Sequence, residues 1–154
     1  MEVHTGSAGA LDKMNSPPAI ATATAPQPAA AVQLAIAPMR DARYSFGAAV
    51  YKDALYAVGG WNEETKLRSI EVYDFIGQQW SVLPTELEIG RSQHSVAIHQ
   101  DKLYVIGGLG ASNEKLSSIE VYDFIMGEWS MLPQEMPVKR CQHATVVYYN
   151  KLYV

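Results

Sequence analysis

Few side chains in this sequence invite bond-making chemistry, and each has a plainer use. Two histidines, His94 and His143, suggest a metal or proton-transfer site, because imidazole titrates near neutral pH and ligates borderline metals. They hold equivalent places in a repeat, and Phe46 holds the same place one period earlier. A ring that neither titrates nor ligates points to a packing slot or a local hydrogen bond. Glu71 and Glu120 would suit an acid–base pair, but they too are repeat equivalents with no nucleophile beside them, so they read as solvated strand carboxylates. Cys141 is the single cysteine, which permits neither an internal disulfide nor a thiolate metal site. The run Gly107-Gly108-Leu109-Gly110 has the look of a phosphate cradle, yet no Lys-Ser/Thr pair and no helical pattern follow it. The residues thus predict a protein that is not an enzyme and needs no metal and no cofactor.

Charge narrows the partners. Twelve basic and 16 acidic residues leave a net charge of -4, spread without runs. A nucleic-acid or anionic-membrane binder concentrates Lys and Arg to neutralise phosphates, and nothing here does so. The longest apolar stretch near the start, from Ala29 to Pro38, is broken by Gln33 and falls well short of the ~20 residues of a spanning helix. Glu2 stands where a secretory signal wants positive charge, and the first arginine is Arg40, so a cytoplasmic location is expected.

The elements that must position these side chains begin only after a compositional break. All 15 aromatic residues lie between Tyr44 and Tyr153, whereas residues 1–38 hold five of the eight prolines and are rich in alanine. Such a segment offers little to bury against a backbone entropy of ~1–2 kcal/mol per ordered residue, and it reads as a disordered, low-complexity Ala/Pro-rich leader.

Beyond it the chain repeats itself. Sliding by 48 or 49 residues brings Arg43 onto Arg91 and Arg140, Leu55-Tyr56 onto Leu103-Tyr104 and Leu152-Tyr153, and Gly59-Gly60 onto Gly107-Gly108. The run from Ser69 to Ile76 recurs letter for letter from Ser118 to Ile125, and Trp80-Ser81 with Leu83-Pro84 recurs as Trp129-Ser130 with Leu132-Pro133. Each copy reads as four short strands. In the second they fall at His94–His99, Leu103–Ile106, Ser118–Tyr122 and Trp129–Leu132, punctuated by Gln100-Asp101-Lys102, Gly107-Gly108, Met126-Gly127 and Pro133. An all-β protein follows, with residues 39–154 divided into copies at 43–90 and 91–139 and a third, cut short, at 140–154.

An Arg ahead of the first strand, Leu-Tyr-Val-Ile-Gly-Gly closing the second, Glu-Val-Tyr-Asp in the third and Trp with Leu-Pro in the fourth resemble the kelch repeat of β-propellers. The resemblance covers residue 43 to the end. It implies four-stranded antiparallel kelch blades of an incomplete β-propeller. Gly59, Gly60, Gly107 and Gly108 would let neighbouring backbones approach, and Tyr73, Tyr122, Trp80 and Trp129 would fill the wedge between blades. The third copy stops inside a strand, which favours a piece of a longer protein. Open blade edges make self-association an expectation as well.

Kelch propellers present the loop after the glycine pair and the loop entering the first strand on one rim. Carried onto this sequence, the resemblance implies a partner surface of Trp61, Asn62, Glu63, Glu64, Leu109, Ser112 and Asn113, with Tyr44, Ser45, Ser92, Gln93 and Gln142 from the entering loops. Trp61 is the leading anchor. The function implied is a non-catalytic protein–protein interaction module, such as substrate recognition for a ubiquitin ligase. Alternatives are an actin-binding cytoskeletal protein or, in another class, a piece of a propeller oxidase or sugar epimerase.

Overall fold

A computed structural model describes residues 36–154 and contains strands and turns but no helix among them. The strands are β1 (Gly47–Tyr51), β2 (Ala54–Val58), β3 (Ile70–Asp74), β4 (Gln79–Val82), β5 (Ser95–His99), β6 (Lys102–Ile106), β7 (Ile119–Asp123), β8 (Glu128–Met131), β9 (Val146–Tyr148) and β10 (Lys151–Tyr153). They make two four-stranded antiparallel meanders, β1-β2-β3-β4 and β5-β6-β7-β8, and a β9-β10 hairpin. The expected blades are therefore present, with strand ends within a residue or so of the sequence reading. Most of the leader, residues 1–35, lies outside the described residues. Its last residues pack: the Trp80 indole N–H donates to the Ala37 carbonyl at 2.6 Å.

The same alternation builds both meanders. Val58, Ile70, Leu103, Val105 and Tyr122 point into one cluster, joined by Leu87 from the loop that enters the second blade. Tyr73 lies opposite Trp80 and Tyr122 opposite Trp129 in the strand registers, with ring centroids 5.2 and 5.1 Å apart. These are cross-strand pairs within a blade. Tyr122 and Trp129 also belong to the cluster that spans both blades, and Phe124 joins them at the boundary, stacking on Tyr51 at 3.8 Å and meeting Tyr56 edge-on at 5.1 Å.

A buried ion pair ties the entering loop to the third strand in each of the two full copies. Arg43 donates to the carbonyls of Gly59 and Ser69, to Ser69 Oγ and to Glu71 at 2.6 Å. Arg91 repeats this on Gly107, Ser118 and Glu120, again at 2.6 Å. Each carboxylate also accepts two backbone N–H groups from the loop entering its blade, those of Arg40 and Asp41 for Glu71 and of Glu88 and Ile89 for Glu120. Glu71 and Glu120 are thus fully buried rather than solvated, which corrects the sequence reading. Alternation alone marks a strand carboxylate as outward facing; only the matching arginine one loop upstream could have revealed the pairing. Burial alone would raise the Glu71 carboxyl, but the Asp41 and Arg40 N–H groups and the Arg43 guanidinium bring it below its ordinary value.

The glycine pair does what a side chain would block. Gly107 has φ +60, and a Cβ there would lie 2.7 Å from the Arg140 carbonyl and 2.7 Å from Met136 Cε. Its neighbour Gly108 donates to that same Arg140 carbonyl at 2.9 Å. Gly107→Ala should cost about 1–3 kcal/mol, from left-handed strain and the displaced neighbouring strand entry. Urea unfolding would check this, and a loss below about 0.5 kcal/mol would mean the contact yields freely.

Candidate functional site: the loop rim

Two loop families meet at one end of the meanders, because β2–β3 and β4–β5 connections leave the sheets on the same side. Backbone pairs lock them together. Tyr44 and Trp61 exchange N–H···O bonds of 3.0 and 2.9 Å, and Ser92 and Leu109 do so one blade on at 3.1 and 2.8 Å. Trp61 in turn bridges to Lys66, as Leu109 does to Lys115. The entering loops are also tied to each other. Gln93 N–H donates to the Ser45 carbonyl and Gln142 N–H to the Gln93 carbonyl, both at 2.8 Å. Ser45, Gln93 and Gln142 share a left-handed backbone, with φ of 54, 55 and 55. Nothing about a serine or a glutamine announces that conformation, so this ladder was invisible in the sequence.

The side chains on this frame differ between blades. In the first, the Trp61 ring packs against Tyr44 at 5.2 Å and carries Lys66 Nζ 4.3 Å above its face. Lys66 was not among the residues expected here; its spacing after Trp61 gives no signal until the loop folds back. Tyr44 is exposed, and its phenol is raised above the ordinary value by desolvation first and by the Glu63 carboxylate second. Asn62 turns inward on its own loop, its side-chain oxygen accepting from Glu64 and Thr65 N–H at 3.2 and 2.9 Å. That leaves Glu63 and Glu64 at the exposed tip. In the second blade Leu109 is half-buried, Ser112 and Asn113 are exposed, and the Glu114 carboxylate accepts the Ser112 N–H at 2.9 Å. Ser92 is buried and belongs to the wall beneath the rim rather than to its surface. Ser45 and Gln142 are exposed and Gln93 half-buried.

Geometry of this kind offers a surface that can grip another molecule. Among the described residues no group of three or more His, Cys, Asp or Glu side chains gathers to hold a metal. His94 is buried. It wedges against the first blade, its ring 2.8 Å from where a Gly47 Cβ would stand and 3.1 Å from a Gly59 Cβ. The ring thus fills a packing slot against the first blade, with the Val58 backbone beside it. Burial first, and the Arg91 guanidinium second, push the imidazole down to about 3. His143 is lowered for the same reason, with Arg140 as its cation.

Comparison with known proteins supplies the context. Residues 24–154 match the family model described as the KLHDC2/KLHL20/DRC7 Kelch-repeats domain. An influenza virus NS1A-binding protein homolog from Xenopus laevis is 34% identical over 82 residues, covering 53% of this chain and 13% of that protein. Kelch repeat and BTB domain-containing protein 2 of cowpox virus (strain GRI-90) is 32% identical over 77 residues, 50% of this chain and 14% of its own length. Kelch-like protein 41a of Danio rerio is 38% identical over 73 residues, 47% of this chain and 12% of that protein. The chain therefore aligns with only a small part of each relative.

Proposed function

Since this chain belongs to the kelch-repeat family, we propose that it is a non-catalytic protein-binding module whose contact surface is the loop rim. The observation that carries this reading is the Tyr44–Trp61–Lys66 cluster, an aromatic and cationic platform held by backbone pairing in the first blade, where the second has Ser92, Leu109 and Lys115. Such anchors dominate binding energy where they sit centrally and lose water on contact. Relatives support a protein as partner: one is named for binding a viral protein, another for a BTB domain beside its kelch repeats. Substrate recognition for a ubiquitin ligase is the finer form of the proposal, and binding of filamentous actin is its rival within the same class.

Trp61→Ala should weaken partner binding by about 2 kcal/mol or more, roughly thirtyfold, while leaving the fold intact. Titration against candidate partners recovered by crosslinking, with circular dichroism as the folding control, would test it. Equal affinity of the variant would move the site off this rim. Co-sedimentation with actin filaments at physiological salt separates the two finer readings, since a ligase receptor has no reason to pellet.

A further inference from the structure

We propose that the first-blade rim takes a basic segment of its protein partner, with an Arg or Lys side chain seated on the Tyr44–Trp61 rings and held by the Glu63 and Glu64 carboxylates. The inference deepens the reading of the rim as a protein-binding surface and rests on it. Its precedent is internal. Lys66 Nζ stands 4.3 Å above the Trp61 ring, so this indole already takes an ammonium group on its face. Two carboxylates accompany that one ammonium. Glu63 and Glu64 are exposed at the loop tip, and among the described residues neither lies within ion-pair distance of a cation. An acidic segment would meet both of them and find only Lys66, which is already engaged with Trp61.

Backbone geometry singles out Glu63. Its φ is 77, a left-handed conformation that the second blade's loop gives to Asn113, at φ 60, a residue type that adopts it more readily. The Asn62 side chain fixes the turn by accepting from the Glu64 and Thr65 N–H groups. A carboxylate held in that conformation at an exposed tip argues for contact rather than for folding. It also lies close enough to Tyr44 to raise the phenol, second to desolvation. Exposure of the tip does not depend on the ends of the described chain. The corresponding tip of the second blade, which has strands of a neighbour on each side, is exposed at Ala111, Ser112 and Asn113 as well. That second tip lacks the cation seat, because Leu109 stands in place of Trp61 and the Glu114 carboxylate is occupied by the Ser112 N–H at 2.9 Å.

Selection of random short peptides displayed on phage against the immobilised full chain tests it. Bound peptides should be enriched in Arg and Lys. Synthesised singly, they should bind Glu63→Gln about fivefold more weakly, the worth of one exposed ion pair, and Trp61→Ala more weakly still. Lys66→Ala gives the sign: removing the resident ammonium frees the indole face and the local carboxylates, so a basic peptide should bind more tightly and an acidic one more weakly. Glu128→Gln, which removes an exposed carboxylate from β8 away from the rim, should change nothing, and so separates this seat from general attraction to a chain of net charge -4. Circular dichroism should show the variants folded. The proposal is overturned if no peptide binds, if the binders show no excess of basic residues, if Lys66→Ala weakens them, or if Glu128→Gln costs as much as Glu63→Gln. Acidic or neutral peptides that still depend on Trp61 would overturn it while leaving the rim as the protein-binding surface, whereas binders indifferent to Trp61 would overturn both readings.

Discussion

Arg91→Ala should destabilise the chain by about 3–5 kcal/mol, a large share of the ~5–15 kcal/mol that holds an ordinary domain together. The guanidinium is fully buried, and its removal takes a donor from the carbonyls of Ile89, Gly107 and Ser118, from Ser118 Oγ and from the Glu120 carboxylate at once. Glu120 keeps its two backbone donors, Glu88 and Ile89, but becomes an uncompensated charge in the interior. Arg140 provides the control, because it occupies the same slot of the repeat, is only half-buried and donates to the Val154 carbonyl at 2.9 Å. Arg140→Ala should cost no more than about 1 kcal/mol, the value of one exposed hydrogen bond. Urea unfolding of both variants decides the matter: equal losses would show that the slot, not the buried pairing, sets the cost.

The contrast between those arginines also shows where sequence reasoning stops. Periodicity and turn residues were enough to place eight strands and two blades, because Gly59-Gly60 and Gly107-Gly108 end strands by backbone chemistry that any reader of the sequence can apply. The rim was reachable through family resemblance, and Trp61 and Tyr44 do meet there. What failed was the partner of each charge. Glu71 lies on a strand in the alternation of a surface residue, and its arginine arrives from a loop 28 residues upstream. Phe124 was missed for a related reason. It follows the strand, where a turn residue is expected to face water, yet it fills the boundary between blades because Tyr51 and Tyr56 leave a flat apolar face there. Both errors come from reading one blade at a time, when the structure is set by how a blade meets its neighbour.

That meeting is also where acid should act. His94 is neutral in the folded chain, with its imidazole pushed down to about 3, and in an unfolded chain it returns to about 6.5. The folded state then binds fewer protons than the unfolded one, so stability falls as pH drops through the window between those two values. The slope is about 1.4 kcal/mol per pH unit for one proton, reaching a loss of roughly 4 kcal/mol near pH 3. His143, lowered in the same direction, steepens the fall, while Glu71 adds to it only below the ordinary carboxylate range. His94→Phe, the residue that Phe46 supplies in the first copy, removes the titration and keeps a ring against Gly47 and Gly59. The variant's absolute stability shifts with repacking, but its slope between about pH 4.8 and 6.2 should fall by close to one proton, because only the slope counts protons. Urea midpoints measured across that interval would show it. An unchanged slope would mean that His94 opens to water in the native state and that the blade boundary is looser than its glycines imply.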